Sequence, residues 1–188
     1  MTSLEAKQTI EYQIDRQGLL IRVSDSWTQF ALDNGAPQLA SERVVGQPLS
    51  SFISDPETRH LYQVILERVR TTKVPVVVTL RCDSPSLRRY LELIISWLPG
   101  QEIQFLSRTL RTEARESIPL LDPSTNRSNE FLTMCSWCKR ILLPIDRWVE
   151  VEDAVAQLEL FCLDALPKLT HGICPACNAK VTEEFEVK

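Results

Sequence analysis

Two Cys-x-x-Cys pairs, Cys135-Ser136-Trp137-Cys138 and Cys174-Pro175-Ala176-Cys177, carry the clearest chemistry in the chain. Two residues between cysteines let the backbone turn back, so that both sulfurs reach one ion at about 2.3 Å, and two such turns complete a tetrahedral shell of four sulfurs. The predicted site is therefore a structural zinc centre with Cys135, Cys138, Cys174 and Cys177 as ligands. Iron–sulfur clusters also use four cysteines, so the ligand set leaves the metal open between zinc and iron. Four protein ligands close the shell and leave no position for substrate or water. His171, three residues before Cys174, is an alternative ligand that would replace one of the four thiolates with an imidazole.

The 35 residues between the pairs exceed the zinc-ribbon spacing of roughly 15–20. Loop closure decides whether that matters. Doubling a loop costs about 0.6 kcal/mol, whereas structural zinc supplies on the order of 10–16 kcal/mol in small peptides. The intervening segment also has its own pattern. Glu150, Glu152 and Asp153 suit a helix N-terminus, and Val151, Ala154, Val155, Leu158 and Cys162 follow as an apolar stripe at helical spacing.

Other uses of the thiols fit less well. A redox dithiol needs one exposed pair of depressed pKa and leaves the second pair unexplained. Disulfides belong to oxidising compartments, and Met1–Gln8 lacks the apolar stretch of a secretion signal. The longest apolar run, Val74 to Leu80, is too short to span a bilayer. A cytoplasmic protein without a membrane segment is expected. Cys82 and Cys162 read as core or surface thiols.

The elements that must position the site follow from composition. The chain has 188 residues, 44% apolar and 24% charged, which suits one or two globular domains. Residues 1–117 hold 14 basic and 14 acidic side chains, while residues 118–188 hold 7 and 11 and carry the whole net charge of −4. Phosphate binding needs a basic surface, so nucleic acid is excluded as a partner. A Pro/Ser/Asn cluster from Ser117 to Asn129 marks a linker, dividing the chain into domains 1–116 and 131–188 with 117–130 between them.

Within the first domain, alternating residues around Asp15-Arg16-Gln17-Gly18 predict a hairpin, and Ser26 is the predicted cap of a short helix bearing Trp27, Phe30 and Ala31. Asp55-Pro56 opens a stronger helix with Leu61, Val64, Ile65 and Val69 on one face. Three strand-like segments close the domain: Val74 to Arg81, Arg88 to Trp97 and Glu102 to Leu110. Short connections imply antiparallel neighbours. The fold class is thus α+β, a five-stranded antiparallel sheet with helices on one face, followed by a small zinc-stapled helical or ribbon module.

That element order, with Val44-Val45-Gly46-Gln47-Pro48-Leu49, Phe52-Ile53 and the helix at 56–70, resembles a PAS sensory domain over about residues 10–115. The resemblance implies an unknown small molecule or a partner in a PAS-like pocket. Haem is not expected. His60 lies on the helix that supplies the iron ligand in haem-binding relatives, but a lone His in a first turn is normally solvated. The flavin-bonding Asn-Cys-Arg-Phe-Leu motif is absent. Trp27, Phe30, Phe52 and Trp97 suit core and pocket lining equally, and Arg88-Arg89 reads as a solvated strand edge. A second resemblance rests on Cys135-Ser-Trp-Cys138-Lys139, Arg147-Trp148-Val149-Glu150 and His171-Gly172-Ile173-Cys174-Pro175-Ala176-Cys177. These look like a tail found after sensory domains in bacterial two-component signalling proteins, which implies a signalling kinase or regulator as partner.

Phosphate-loop, nucleophile-elbow and zinc-protease motifs are absent, with only five glycines and two histidines in the chain. The expected function is a non-enzymatic sensory or regulatory protein, with a zinc module for docking or dimerisation and a homodimer as the default assembly. The alternative is a thiol-based redox sensor whose four-cysteine site releases zinc on oxidation.

Overall fold

The computed structural model describes residues 9–185, so the Met1–Gln8 segment lies outside it. The first hairpin pairs β1 (Thr9–Ile14) with β2 (Leu20–Val23). Its turn is held by the Asp15 carboxylate, which accepts from the Gln17 and Leu19 amides at 2.8 and 2.9 Å, and by Gly18 at a φ of 87°. Helix α1 (Asp25–Asp33) is capped by Ser24 rather than by Ser26. The Ser24 hydroxyl accepts from the Trp27 amide at 3.3 Å, while Ser26 donates to the Thr9 carbonyl at 2.7 Å. After the short α2 (Ser41–Val44), helix α3 (Pro56–Thr72) starts as its sequence predicts. Asp55 accepts from the Thr58 amide at 2.7 Å and Pro56 takes the first helical position.

Three long strands follow: β3 (Val76–Ser84), β4 (Leu87–Trp97) and β5 (Ile103–Ala114). The sheet order is β2-β1-β5-β4-β3, with every pairing antiparallel. This is the PAS-like α+β arrangement implied by the element order. Strand alternation puts Tyr12, Ile14, Val76, Val78, Leu93, Ile95, Ile103 and Phe105 on one face. They bury there with Leu61, Ile65 and Val69 of α3. The Tyr12 and Phe105 rings stack at 4.4 Å, so the sheet centre is locked by aromatic contact.

The C-terminal part builds a second sheet from β6 (Arg127–Cys135), β7 (Ile141–Leu143), β8 (Arg147–Val149) and β9 (Leu166–Gly172), in the order β8-β7-β6-β9. Strand β9 runs parallel to β6, and α5 (Pro175–Phe185) follows it. Between β8 and β9, helix α4 (Val151–Gln157) is shorter than its stripe suggests. Glu159 takes a φ of 50° and turns the chain out of the helix, leaving Cys162 exposed on a 3-10 turn.

Residues 117–130 are not a free tether. Ile118 and Leu120 are buried with Met134, Ile141, Leu143 and Val151, the Ile118 amide donates to the Pro85 carbonyl at 3.1 Å, and β6 already begins at Arg127. The polar cluster that reads as a linker encodes turns instead. Pro119 opens a 3-10 turn, and Asp122 accepts from the Ser124 amide at 2.8 Å.

The two parts share an interface along edge strand β3, whose Arg81 amide donates to the Trp137 carbonyl at 2.8 Å. Around it lies a charge network across both parts. Arg81, only 7% exposed, pairs with Asp83 and with Glu150, while Arg88 and Arg115 reach Glu152 at 2.8 and 3.0 Å. Arg88 therefore does not sit on a solvated strand edge, because β4 is interior to its sheet and Arg88 points at the second module.

Candidate metal centre

Strand β6 delivers Cys135 to the end of the second sheet, and the next four residues fold back on it. The Lys139 amide donates to the Cys135 carbonyl at 3.0 Å, the Cys135 amide donates to the Arg140 carbonyl at 2.8 Å, and Lys139 takes a φ of 63°. That knuckle turns the Cys138 sulfur towards Cys135. The second pair arrives on β9, whose parallel register sets Gly172 beside Cys135. The Ser136 amide donates to the Gly172 carbonyl at 2.8 Å and ties the two turns together. A side chain at Gly172 would meet Thr133 Cγ2 at 3.2 Å, so a glycine there permits the close approach of β9.

Cys174 immediately precedes α5 and Cys177 falls in its first turn, where the helix N-terminus favours negative sulfur. The parallel crossover through β7, β8 and α4 thus explains the long gap. It returns the second pair to the same end of the sheet as the first.

All four sulfurs lie within 4.8 Å of one another, with Cys138 and Cys174 at 3.7 Å. A tetrahedron with metal–sulfur bonds of about 2.3 Å has sulfur–sulfur edges of about 3.8 Å. The donor set therefore fits one ion, and these four cysteines could hold it. Electrostatics points the same way. The Cys135 sulfur is held far below the usual thiol range by hydrogen bonds from the Cys138 and Cys177 thiols and from the Cys138 and Cys174 amides. Cys138, hydrogen-bonded to the charged Cys135 sulfur, is pushed up to about 12, and Cys177 rises for the same reason. Four sulfurs this close ionise together only around a cation.

His171 is not part of this group. It sits on β9 opposite Met134 and lines a cleft between the two parts with Asp55, Tyr62, Ser136 and Trp137. Partial burial lowers its pKa, the Lys139 charge lowers it further, and Asp55 opposes both.

The remaining candidates divide by position. Trp27 and Phe30 line a cavity of about 390 Å3 between α1 and the sheet, together with Tyr12, Tyr62, Leu91 and Leu93. Phe52 lines the inter-part cleft, and Trp97 lies under the Lys73 ammonium at 4.3 Å. Cys82 faces the large cavity, where burial raises its thiol pKa. His60 is exposed on α3 and lines none of these spaces.

Sequence reasoning passed over two features. One is Tyr62, which lines both the cavity and the cleft and packs its ring 5.9 Å from Trp137. The other is the Arg81–Asp83–Glu150 network. Charged residues inside an otherwise apolar strand, as at Arg81, are the signal that could have revealed it.

Fold and site together define a PAS-like α+β domain joined to a module with a four-thiol centre. No protein-family model matches the chain, and no curated protein does. Among solved structures, the photoactive yellow protein domain of the sensor histidine kinase Ppr from Rhodospirillum centenum aligns at 14% identity and a TM-score of 0.40, covering 57% of this chain and 93% of that domain. A domain of an HTR-like protein from Haloarcula marismortui aligns at 16% identity and a TM-score of 0.37, covering 55% and 99%. Neither match is close enough to carry a function across. Among the described residues, no helix is long and apolar enough to cross a membrane.

Proposed function

We propose that this chain is a non-catalytic cytoplasmic regulator in which the PAS-like cavity takes a small molecule and a structural zinc module presents the docking surface. The observation that carries this reading is the position of Tyr62. It is a wall of the cavity and, on its other side, a packing partner of Trp137, which lies between two of the four sulfur ligands. A ligand that moved Tyr62 would press directly on the metal knuckle. Zinc suits the role because it has no redox chemistry of its own and four thiolates leave it no open coordination position. The partner class is a bacterial two-component kinase or regulator, with a homodimer as the working assembly.

Metal analysis of the purified protein tests the centre. One zinc per chain is expected, without the visible absorption of an iron–thiolate site, and iron at full occupancy would overturn the assignment. Native mass spectrometry of the same sample tests the cavity by looking for a co-purified small molecule. The redox reading is favoured by one fact: Cys138 and Cys177 are only half-buried. In that reading peroxide takes two electrons from a thiolate pair, which closes to a disulfide as water forms and zinc leaves. Retention of zinc at peroxide concentrations that oxidise the exposed Cys162 would end it.

A further inference from the structure

Arginines near the domain interface are matched with carboxylates: Arg81 with Asp83 and Glu150, Arg115 with Asp83 and Glu152. Arg89 is not. Strand alternation sends it to the face opposite Arg88, where it pairs in register with Cys82 and shares its side of β4 with Leu91 and Leu93. Cys82, Leu91 and Leu93 all line the 390 Å3 cavity. The Arg89 guanidinium stands 5.9 Å from the ring of Phe30, another cavity wall. It forms no ion pair among the described residues, and its Nη1 is sealed from solvent with no hydrogen-bond partner. A guanidinium is always charged and has only donors to offer, so its missing partner is an acceptor.

The cavity supplies the rest of the description. Its walls are mainly apolar and aromatic, with Asn34, Ser107 and Thr109 as neutral polar groups and no acidic residue. Tyr12 and Tyr62 add phenol groups that form no hydrogen bond among the described residues. A cation next to the Cys82 and Phe30 walls of an apolar space matches a single negative charge at the end of an apolar body. Phosphate, with close to two charges, would be left half-compensated by one guanidinium beside mainly apolar walls. A planar carboxylate also matches the guanidinium fork. The volume lies at the small end of ligand pockets, which limits the body to a modest size.

We propose that the cavity binds a small monocarboxylic acid, its carboxylate on Arg89 and its apolar body against Trp27, Phe30, Leu91 and Leu93. This rests on the reading of the cavity as the sensory pocket, and a head-group series at constant body separates the two claims. Octanoate, octanol and octylamine are titrated into the whole protein by calorimetry. Octanoate should bind at least about 10-fold tighter than octanol, with octylamine weakest, in line with the strength of charge-assisted hydrogen bonds. Arg89→Gln should erase that preference while leaving octanol binding unchanged. Equal affinity of octanoate and octanol for the native protein would overturn the Arg89 assignment and leave the pocket standing. Failure of all three to bind at about 1 mM, a concentration that detects even weak association, would overturn the pocket reading itself.

Discussion

The two halves of the molecule reach a folded state by different means. The N-terminal domain has a regular antiparallel sheet, a long amphipathic helix and a core of large side chains that includes the stacked Tyr12 and Phe105. Its helix α1 and sheet also enclose the cavity of about 390 Å3. The C-terminal module has two short strands, Ile141–Leu143 and Arg147–Val149, and a satellite core of aliphatic residues without an aromatic ring. Its cysteine end does not even belong to that core. Cys135, Trp137, Ile173, Cys174 and Val181 bury against the N-terminal domain instead. A small module can thus be held by a metal on one side and a neighbour on the other, with little packing of its own.

The sharpest way to break the comparison is to remove the metal. Cys174→Ser, or chelation, should release the ion and melt the C-terminal module, a loss on the order of 10 kcal/mol. The change would be read as collapse of the near-ultraviolet signal of Trp137 and Trp148 while a second, N-terminal unfolding transition survives. A module that kept its fold after exhaustive chelation would show that packing alone suffices. Next in size is the shared interface. Arg81→Met removes one of the two guanidinium partners of the Asp83 carboxylate, whose side chain is 1% exposed, leaving it Arg115 alone, and should cost up to about 3–5 kcal/mol in denaturant unfolding. A cost near zero would mean that the halves are held together by other contacts.

Leu120→Ala sharpens the contrast at the supposed tether. Leu120 is fully buried, so the substitution should destabilise by about 2–5 kcal/mol, whereas a free linker would not respond. The smallest effect expected is that of acid. Although burial opposes it, Arg81 lowers the pKa of Glu150, and for Glu152 its own backbone amide, then Arg115 and Arg88, do the same. A carboxylate with a depressed folded pKa adds stability that is present above its unfolded value and disappears as pH falls through the folded one. Docking should therefore weaken below about pH 4.5, an ordinary glutamate value. Metal loss contributes in the same range, so the Arg81→Met variant should show a smaller acid dependence of docking, carried by Glu152, and keep that of metal release.

The sequence was most legible where one local rule decides the outcome. Asp55-Pro56 begins a helix because a side-chain acceptor and a preset φ act on adjacent residues, and period-2 alternation needs no distant partner to be seen. The four sulfurs were legible because ligand spacing is itself local. What escaped was long-range. Ser24 rather than Ser26 caps α1, since Ser26 is taken by the Thr9 carbonyl on the neighbouring strand. The parallel pairing of β6 with β9 joins segments some forty residues apart, and its first half hides in a stretch of turn-forming residues. Arg88 and Arg89 looked alike as neighbours in the chain. Strand alternation gave one of them to an interface and set the other beside the Cys82 and Phe30 walls of a cavity.

The Trp137 carbonyl at the flank of β3 has a consequence for solubility. Val76, Val77, Val78, Thr79 and Leu80 form the outermost strand of a sheet, and a run of this composition is prone to recruit a strand from another molecule. The metal knuckle stands over the end of that run and interrupts it at Arg81. A chain stripped of its ion would lose more than a module: it would bare a template for edge-to-edge self-association, and its failure would be seen first as turbidity.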